Sequence, residues 1–483
     1  MLEAVIQPAP PPTPEPRSRG WPMARDCLAA TLLVALLAAI PLLGDPRAYY
    51  LDDYQAQFMP TFYAIGETLW NSGQIPFLTL KSWMGGNLLG EYQYALLNPV
   101  LLILFAALPL FDSLPAGAAF LSICALAMMG GGSFFLARTA GVSRPLAFVA
   151  AVAMGTNAHV FYWYASSWIP GLLAFAFLPW AMAFLLRALE GRWSYLAAGL
   201  FTALTATAGW PMAVLALGVF VAAICAVRLT QGGWREVFAP ASAALLGLLM
   251  AMPAIGPMLA TGAVTIRPMG ISNAENMLVP ALGDVLALSH PFHQGWMRIF
   301  GNYSPVSSPL FYVAWFILPV LVLLDWRKVR WGAQNLIILL AFAALMLLAS
   351  QGPSHLGPLR WPFRYLVYFD LAVICAVPLL LSQAGLVPSA RRLFIALGAV
   401  GLSGILALQS DPGHAARIML ATAVLLALAG TLWLLRRAPA GRMAAFLVLT
   451  TAGFILTLHA VTPRNGNVPD WQFLQAPVRT VSL

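Results

Sequence analysis

Two adjacent aspartates, Asp52 and Asp53, stand where an apolar segment gives way to the stretch LDDYQAQFMPTFYAIGETLW, Leu51 to Trp70. A carboxylate in that place has two uses. It can cap a helix by accepting the free N–H groups of the first turn. It can also take the proton from a hydroxyl that must act as a nucleophile, because a neutral hydroxyl attacks poorly. One acid suffices for a cap, so the second asks for its own reason. If the stretch is helical from Asp53, Gln57 shares a face with Asp53. Phe58, Phe62, Ile65 and Leu69 then recur along one side, and Gly73 ends the helix. The pattern predicts a helix lying in a membrane interface, apolar side down, its acidic start beside the mouth of a span. Glu91-Tyr92-Gln93-Tyr94 brings polar and aromatic groups back to the same surface.

The elements that must position these residues are membrane spans. The chain has 483 residues, 60% of them hydrophobic and 9% charged, with a mean hydropathy of +0.80. A water-soluble fold cannot hide that much apolar surface, so the expected class is an all-α, polytopic transmembrane bundle. The formal charge of +9 fits Lys and Arg in cytoplasmic loops. No basic, aromatic-interleaved module suggests a nucleic-acid partner. Cys27, Cys124, Cys225 and Cys375 all fall in apolar runs without metal or redox spacing and read as small buried residues.

Residues 1–22 are Pro-rich and read as a disordered cytoplasmic tail, followed by a multi-span region over 23–460 and an outer tail over 461–483. Candidate spans are 24–44, 96–112, 115–137, 145–163, 168–187, 195–209, 210–229, 238–260, 309–325, 332–350, 361–383, 391–409, 414–435 and 442–460. From Arg138 onward, basic clusters alternate with the loops between them. This places Asn157 to Trp168, Gly209-Trp210-Pro211, 261–308 and 351–364 outside, and 45–95 lies outside as well, beyond the first span. If 96–112 crossed fully, Arg138 would land on the wrong side. That segment is short and carries Pro99 and Pro109, so it is expected to be half-inserted, leaving about 13 spans.

Several motifs now fall into order. Asp53, Gln57 and Pro60 are followed by Gly73 and Pro76, then Gly85-Gly86-Asn87, then Gln93 and Asn98-Pro99. Ala137-Arg138-x-x-Gly141-x-Ser143 and Leu359-Arg360-Trp361-Pro362-Phe363-Arg364 come later. In this order the chain resembles the YfhO-type membrane proteins of the GT-C glycosyltransferase superfamily, most closely over residues 45–190. The resemblance implies sugar transfer from a polyprenyl-phosphate donor on the outer face of the membrane. It implies an acid in the first outer loop as general base or metal ligand, mapped to Asp53 and then Asp52. The cofactor is unknown, with a divalent cation left open. The acceptor would be a glycan, a lipid or a protein, and the expected location is a bacterial cytoplasmic membrane with the N-terminus inside.

The remaining residues suit that chemistry. A departing lipid phosphate needs cations. Arg364 and Arg360 at a span entrance can supply bidentate contacts, with Lys81 further off. Gln57, Glu91, Gln93 and Tyr94 complete the donor-side set. Tyr92, Tyr94, Tyr162, Trp163, Tyr164 and Trp168 would crowd the outer surface, as sugar platforms or as an interfacial belt. In the second loop His290, His293, Arg298 and Tyr303 are acceptor-side candidates, and His290-Pro291-Phe292-His293 has a spacing that suits a metal only weakly. Asp370 lies inside a span, which makes it either a functional-site candidate or an acid paired with a nearby Arg or Tyr near the outer end. Two other functions stay open. A transporter or flippase of a lipid-linked sugar should carry ionisable groups at mid-membrane on broken helices. A non-catalytic assembly factor could keep the fold without the activity.

Overall fold

The computed structural model describes residues 20–79, 86–231, 233–262, 276–299, 301–356 and 359–472. The helices in chain order are α1 (Gly20–Ala39), α2 (Met59–Ser72), α3 (Pro99–Ala106), α4 (Leu114–Ala140), α5 (Arg144–Gly155), α6 (Ile169–Leu186), α7 (Arg192–Thr207) and α8 (Pro211–Gln231). There follow α9 (Trp234–Ala260), α10 (Leu282–Val285), α11 (Ile317–Leu323), α12 (Gln334–Ser350), α13 (Leu366–Ala384), α14 (Ala390–Ser410), α15 (Ala415–Leu434) and α16 (Ala440–Val461). Three short antiparallel hairpins pair Leu78–Thr79 with Gly86–Asn87, Trp296–Ile299 with Asn302–Pro305, and His355–Leu356 with Leu359–Arg360. Among the described residues, nine helices are long and apolar enough to cross a membrane, starting with Pro22–Leu43 and ending with Ala440–Val461.

Because almost every span is apolar all round, side-chain size decides which face turns inward. In α1, Leu28, Leu32 and Leu36 are exposed, whereas Ala30, Val34 and Ala38 are buried one turn apart. Val34 rests on Gly130 of α4 and Gly155 of α5. A Cβ on either glycine would come within 2.5 Å of a Val34 methyl. Small residues thus let three helices close on one another, which is how apolar helices associate when lipid is as greasy as their side chains. Helices α4, α6 and α13 are buried along most of their length and form the centre. Helices α9, α14 and α15 turn rows of leucines outward.

Asp26 near the start of α1 takes a two-pronged ion pair from Arg144, at 2.6 and 2.7 Å, just beyond α4. Both ends therefore lie on one face, and α1 and α4 run antiparallel. The chain between them makes no net crossing. Segment 96–112 folds as α3 plus a short turn, Leu108–Leu110. At 1.5 Å per residue, eight residues reach only about 12 Å, well short of the roughly 30 Å hydrocarbon layer.

Two expected spans are irregular. Segment 145–163 is broken: α5 stops at Gly155, and a π-helical turn follows over Val160–Tyr164. Asn157 restarts the backbone by accepting the Val160 N–H at 3.0 Å. Segment 309–325 is apolar but contains only the seven-residue α11. Its leading residues, Leu310 to Phe316, are buried as irregular chain. Their amides find partners such as Leu288 O and the Tyr312 hydroxyl, which is what lets non-helical backbone sit inside a membrane protein.

Candidate active site

The expected interfacial helix is present from Asp52 to Ser72, but its first turn is π-helical over Tyr54–Phe58. Phe58, Phe62 and Ile65 are buried, and Gly73 closes the helix with φ +65°. Phe62 stacks on Phe105 of α3 at 4.3 Å. Gly66 is needed there, since a Cβ would meet the Phe105 carbonyl oxygen at 2.0 Å. The short helix α3 is thus the floor on which the carboxylate-bearing helix lies.

The two acids have separate environments. Asp52 is buried, accepts the Ser167 hydroxyl at 2.6 Å, and receives the backbone N–H of Asp53. Burial raises its pKa from the ordinary value, and these two hydrogen bonds oppose the rise. Its backbone is left-handed, with φ +50°. Asp53 makes no cap and is exposed. Nevertheless its pKa is pushed up to about 6, first by desolvation, then by the Asp52 charge, with Arg364 pulling it down. Exposure and desolvation together describe a carboxylate in an open recess: protein on most sides, solvent on one.

Arg364 forms the other wall. It is buried, with its guanidinium carbon 4.3 Å from the Trp168 ring, 4.8 Å from Trp210 and 4.2 Å from Trp361. The Tyr164 hydroxyl donates to the Arg364 carbonyl at 3.1 Å. The Arg364 Nε has no hydrogen-bond partner. Three indoles hold this cation by ring faces and leave an N–H donor of the planar fork without a partner. Trp361 itself is left-handed, with φ +63°. The guanidinium carbon of Arg360, the residue just before it in the chain, lies 5.1 Å from the Trp361 ring.

Tyr92 and Ala95 are also left-handed. Their loop presses on Gly209, where a Cβ would come within 2.6 Å of the Tyr92 carbonyl oxygen and 2.8 Å of the Gln93 Cα. Gln57 donates to the Tyr94 hydroxyl at 2.9 Å. Glu91 and Gln93 are half-buried on the same loop. Four non-glycine residues with positive φ therefore surround one recess. Each costs on the order of 1–3 kcal/mol, and such strain concentrates at functional sites.

The structure thus brings Asp52, Asp53, Gln57, Glu91, Gln93, Tyr94, Arg360 and Arg364 to one end of the bundle. Lys81 lies outside the described residues, as does Gly85. His290, His293 and Tyr303 make their contacts elsewhere. His290 is bonded to Thr422 at 3.2 Å and to the Phe292 amide, while His293 pairs with Asp284 at 2.7 Å. The two rings have different partners, and His293 lines a separate cavity of about 150 Å³ with His414 and Arg417. Tyr303 and Arg298 are exposed on the hairpin beside it. No three His, Cys, Asp or Glu side chains among the described residues come together as a cation site.

Two expectations are corrected. Tyr92, Tyr94, Tyr162, Trp163, Tyr164 and Trp168 are not a surface belt; all are at least 95% buried and several build the recess. Asp370 pairs with neither Arg nor Tyr: one oxygen accepts from Asn157 at 3.0 Å and the other has no partner. Sequence reasoning missed Ser167, the role of Trp210, and a third contributor, the segment after α16. There Arg464 and Asp470 form ion pairs with Asp45 and Arg47. The charges of Asp45 and Arg47 in an otherwise greasy chain were the available signal.

No family model and no curated protein matches the sequence. The fold does match solved structures. ArnT from Cupriavidus metallidurans, bound to undecaprenyl phosphate, is similar with a TM-score of 0.55 at 15% identity, over 91% of this chain and 77% of that one. Its apo state gives 0.56 at 14% identity, over 92% and 78%. The Archaeoglobus fulgidus oligosaccharyltransferase AglB gives 0.48 at 12%, over 94% of this chain and 62% of that one. The likeness to ArnT is one of architecture: the chain has a helical membrane fold of the kind seen in that structure.

Proposed function

We propose that this protein is a membrane glycosyltransferase that moves a sugar from a polyprenyl-phosphate donor to an acceptor hydroxyl, with Asp53 as the general base. The observation that carries the reading is the pairing of Asp53, an accessible carboxylate raised to about 6, with a buried Arg364 whose Nε is unpartnered. A base with a pKa near 6 is ionised at neutral pH and still basic enough to take a proton in the transition state. Arg364 is near enough to pull the Asp53 pKa down, and its charge would meet the negative charge that develops on the departing phosphate. Arg360 adds a second cation at the entrance.

Asp52 acts through Asp53. It raises the pKa of its neighbour by charge and fixes the helix start through Ser167. The lipid tail of the donor would lie along the apolar helix faces. The ArnT structure, solved with undecaprenyl phosphate bound, supports a lipid-phosphate donor, as does the YfhO-type motif order. On this reading the recess faces the outer side of a bacterial inner membrane. The test is transfer of labelled sugar from polyprenyl-phosphate donors to membrane acceptors by wild type and Asp53→Asn at matched expression. Loss of about 10²-fold or more in the variant is expected. Equal rates would remove Asp53 from the chemistry, and no transfer by wild type with any donor would turn attention to lipid-linked sugar movement.

A further inference from the structure

We infer that the segment Thr462–Gln472 is a strap that sets the geometry of the Asp52–Asp53 pair, with Arg464 and Asp470 as positioning residues. This rests on the reading of Asp53 as the proton acceptor.

The strap touches the carboxylate segment on both sides of the pair. Before it, Arg464 places two nitrogens on the two oxygens of Asp45 and a third contact on Asp470, at 2.8 Å. Asp470 in turn accepts from Arg47 at 2.6 Å. After it, Asp470 accepts from the Gln55 side chain at 3.2 Å, and the Trp471 N–H donates to the Gln55 side-chain Oε1 at 2.8 Å. Between these points the Asp52 N–H donates to the Pro469 carbonyl at 3.0 Å.

The far end of the strap is anchored independently. Tyr162 donates to the Thr462 carbonyl at 2.8 Å, Ser308 to Asn465 at 3.0 Å, and the Ser307 amide to Asn467 at 3.0 Å. Asp45 and Asp470 are mostly shielded from water, so these pairs are screened less than surface ones. Desolvation works against the Asp45 charge, but the Arg464 fork and the Arg47 amide hold its carboxyl below the ordinary range. The Asp45–Arg464 pair therefore stays ionised across the pH range in which Asp53 titrates.

A tail docked only for stability would need the ion pairs and nothing more. Here the backbone bond falls on Asp52, the left-handed residue adjoining the base. A left-handed aspartate relaxes unless its neighbours fix it, and the Pro469 carbonyl is one of the groups that does. Asp53 depends on that residue for its direction.

The test uses full-length protein with Asp470→Asn, Asp470→Glu and Arg464→Lys. Each is assayed for labelled-sugar transfer across pH and for hydrogen exchange over Leu51–Phe58. For Asp470→Asn, kcat is expected to fall about 10- to 100-fold, since small misplacements of a reacting group cost that much. KM for the lipid donor stays put, and the acid limb moves below 6 as water enters beside Asp53, whose charged neighbours are Asp52 and Arg364. Exchange over Leu51–Phe58 accelerates, and Asp470→Glu restores most of kcat. Arg464→Lys keeps the charge without the fork and falls between. Unchanged kcat, acid limb and exchange would overturn the strap, whatever happens to yield. If wild type transfers no sugar, exchange still decides. Acceleration confined to Leu51–Phe58 keeps the strap and removes the transfer reading; its absence overturns the strap.

Discussion

Replacing Asp52 with asparagine isolates the charge coupling between the two acids. The amide keeps an oxygen for the Ser167 hydroxyl and the Asp53 N–H, so the geometry is retained and one charge is lost. The sign follows from the site: the Asp52 charge raises the pKa of Asp53, so removing it lowers that pKa. Adjacent Cα atoms are about 3.8 Å apart, which puts the carboxylates roughly 6 Å apart. With water on one side, an effective dielectric of about 40 gives ~1.4 kcal/mol, or about one pKa unit. The acid limb of kcat/KM should therefore lie near pH 6 in wild type and near pH 5 in Asp52→Asn. At pH 5 only about a tenth of wild-type Asp53 is ionised, so the variant should be several-fold faster there relative to its own plateau. The assay is transfer of labelled sugar in detergent from pH 4.5 to 8, with salt held constant because screening weakens the coupling. A wild-type limb below pH 4.5, or a limb that does not move in Asp52→Asn, would refute the account of Asp53 as a desolvated base raised by its neighbour.

Arg364→Lys keeps the charge but loses the planar group held among three indoles. KM for the lipid donor should rise about tenfold or more while the acid limb stays near pH 6; an unchanged KM would exclude Arg364 from the donor site. Gly66→Ala places a methyl against the Phe105 carbonyl and should cost ~1–3 kcal/mol by overpacking, seen as a lower Tm in detergent. Gly218→Ala in α8, with nothing within 4 Å of its new Cβ, is the matched control and should not lower Tm, since Ala favours the helix over Gly.

The carboxylate helix was legible in the sequence because its signals are local: helical spacing from Phe58 to Ile65, a closing Gly73, acids at the start. Charge alternation and the prolines of segment 96–112 pointed to a piece that does not cross, and α3 is short. The π turns at Tyr54 and Val160 were not legible, since they answer to contacts such as Ser167 with Asp52, 115 residues apart. The Trp cage around Arg364 was hidden for a different reason. Aromatic residues near span ends read the same whether they face lipid headgroups or another helix. Segment 309–325 failed as a span because hydropathy reports burial, and buried chain need not be helical when other loops satisfy its amides.

The ion pairs after α16 also bear on how the protein is made. Asp45 and Arg47 emerge from the ribosome early, and their partners Arg464 and Asp470 follow more than 400 residues later. Until α16 and the segment after it have been made, the loop holding Asp52 and Asp53 lacks both its counter-charges and the carbonyl that fixes its backbone. A nascent chain with most of its spans in place would therefore expose an incomplete recess to the membrane. Biogenesis itself would then keep the carboxylates unarmed until the bundle is whole.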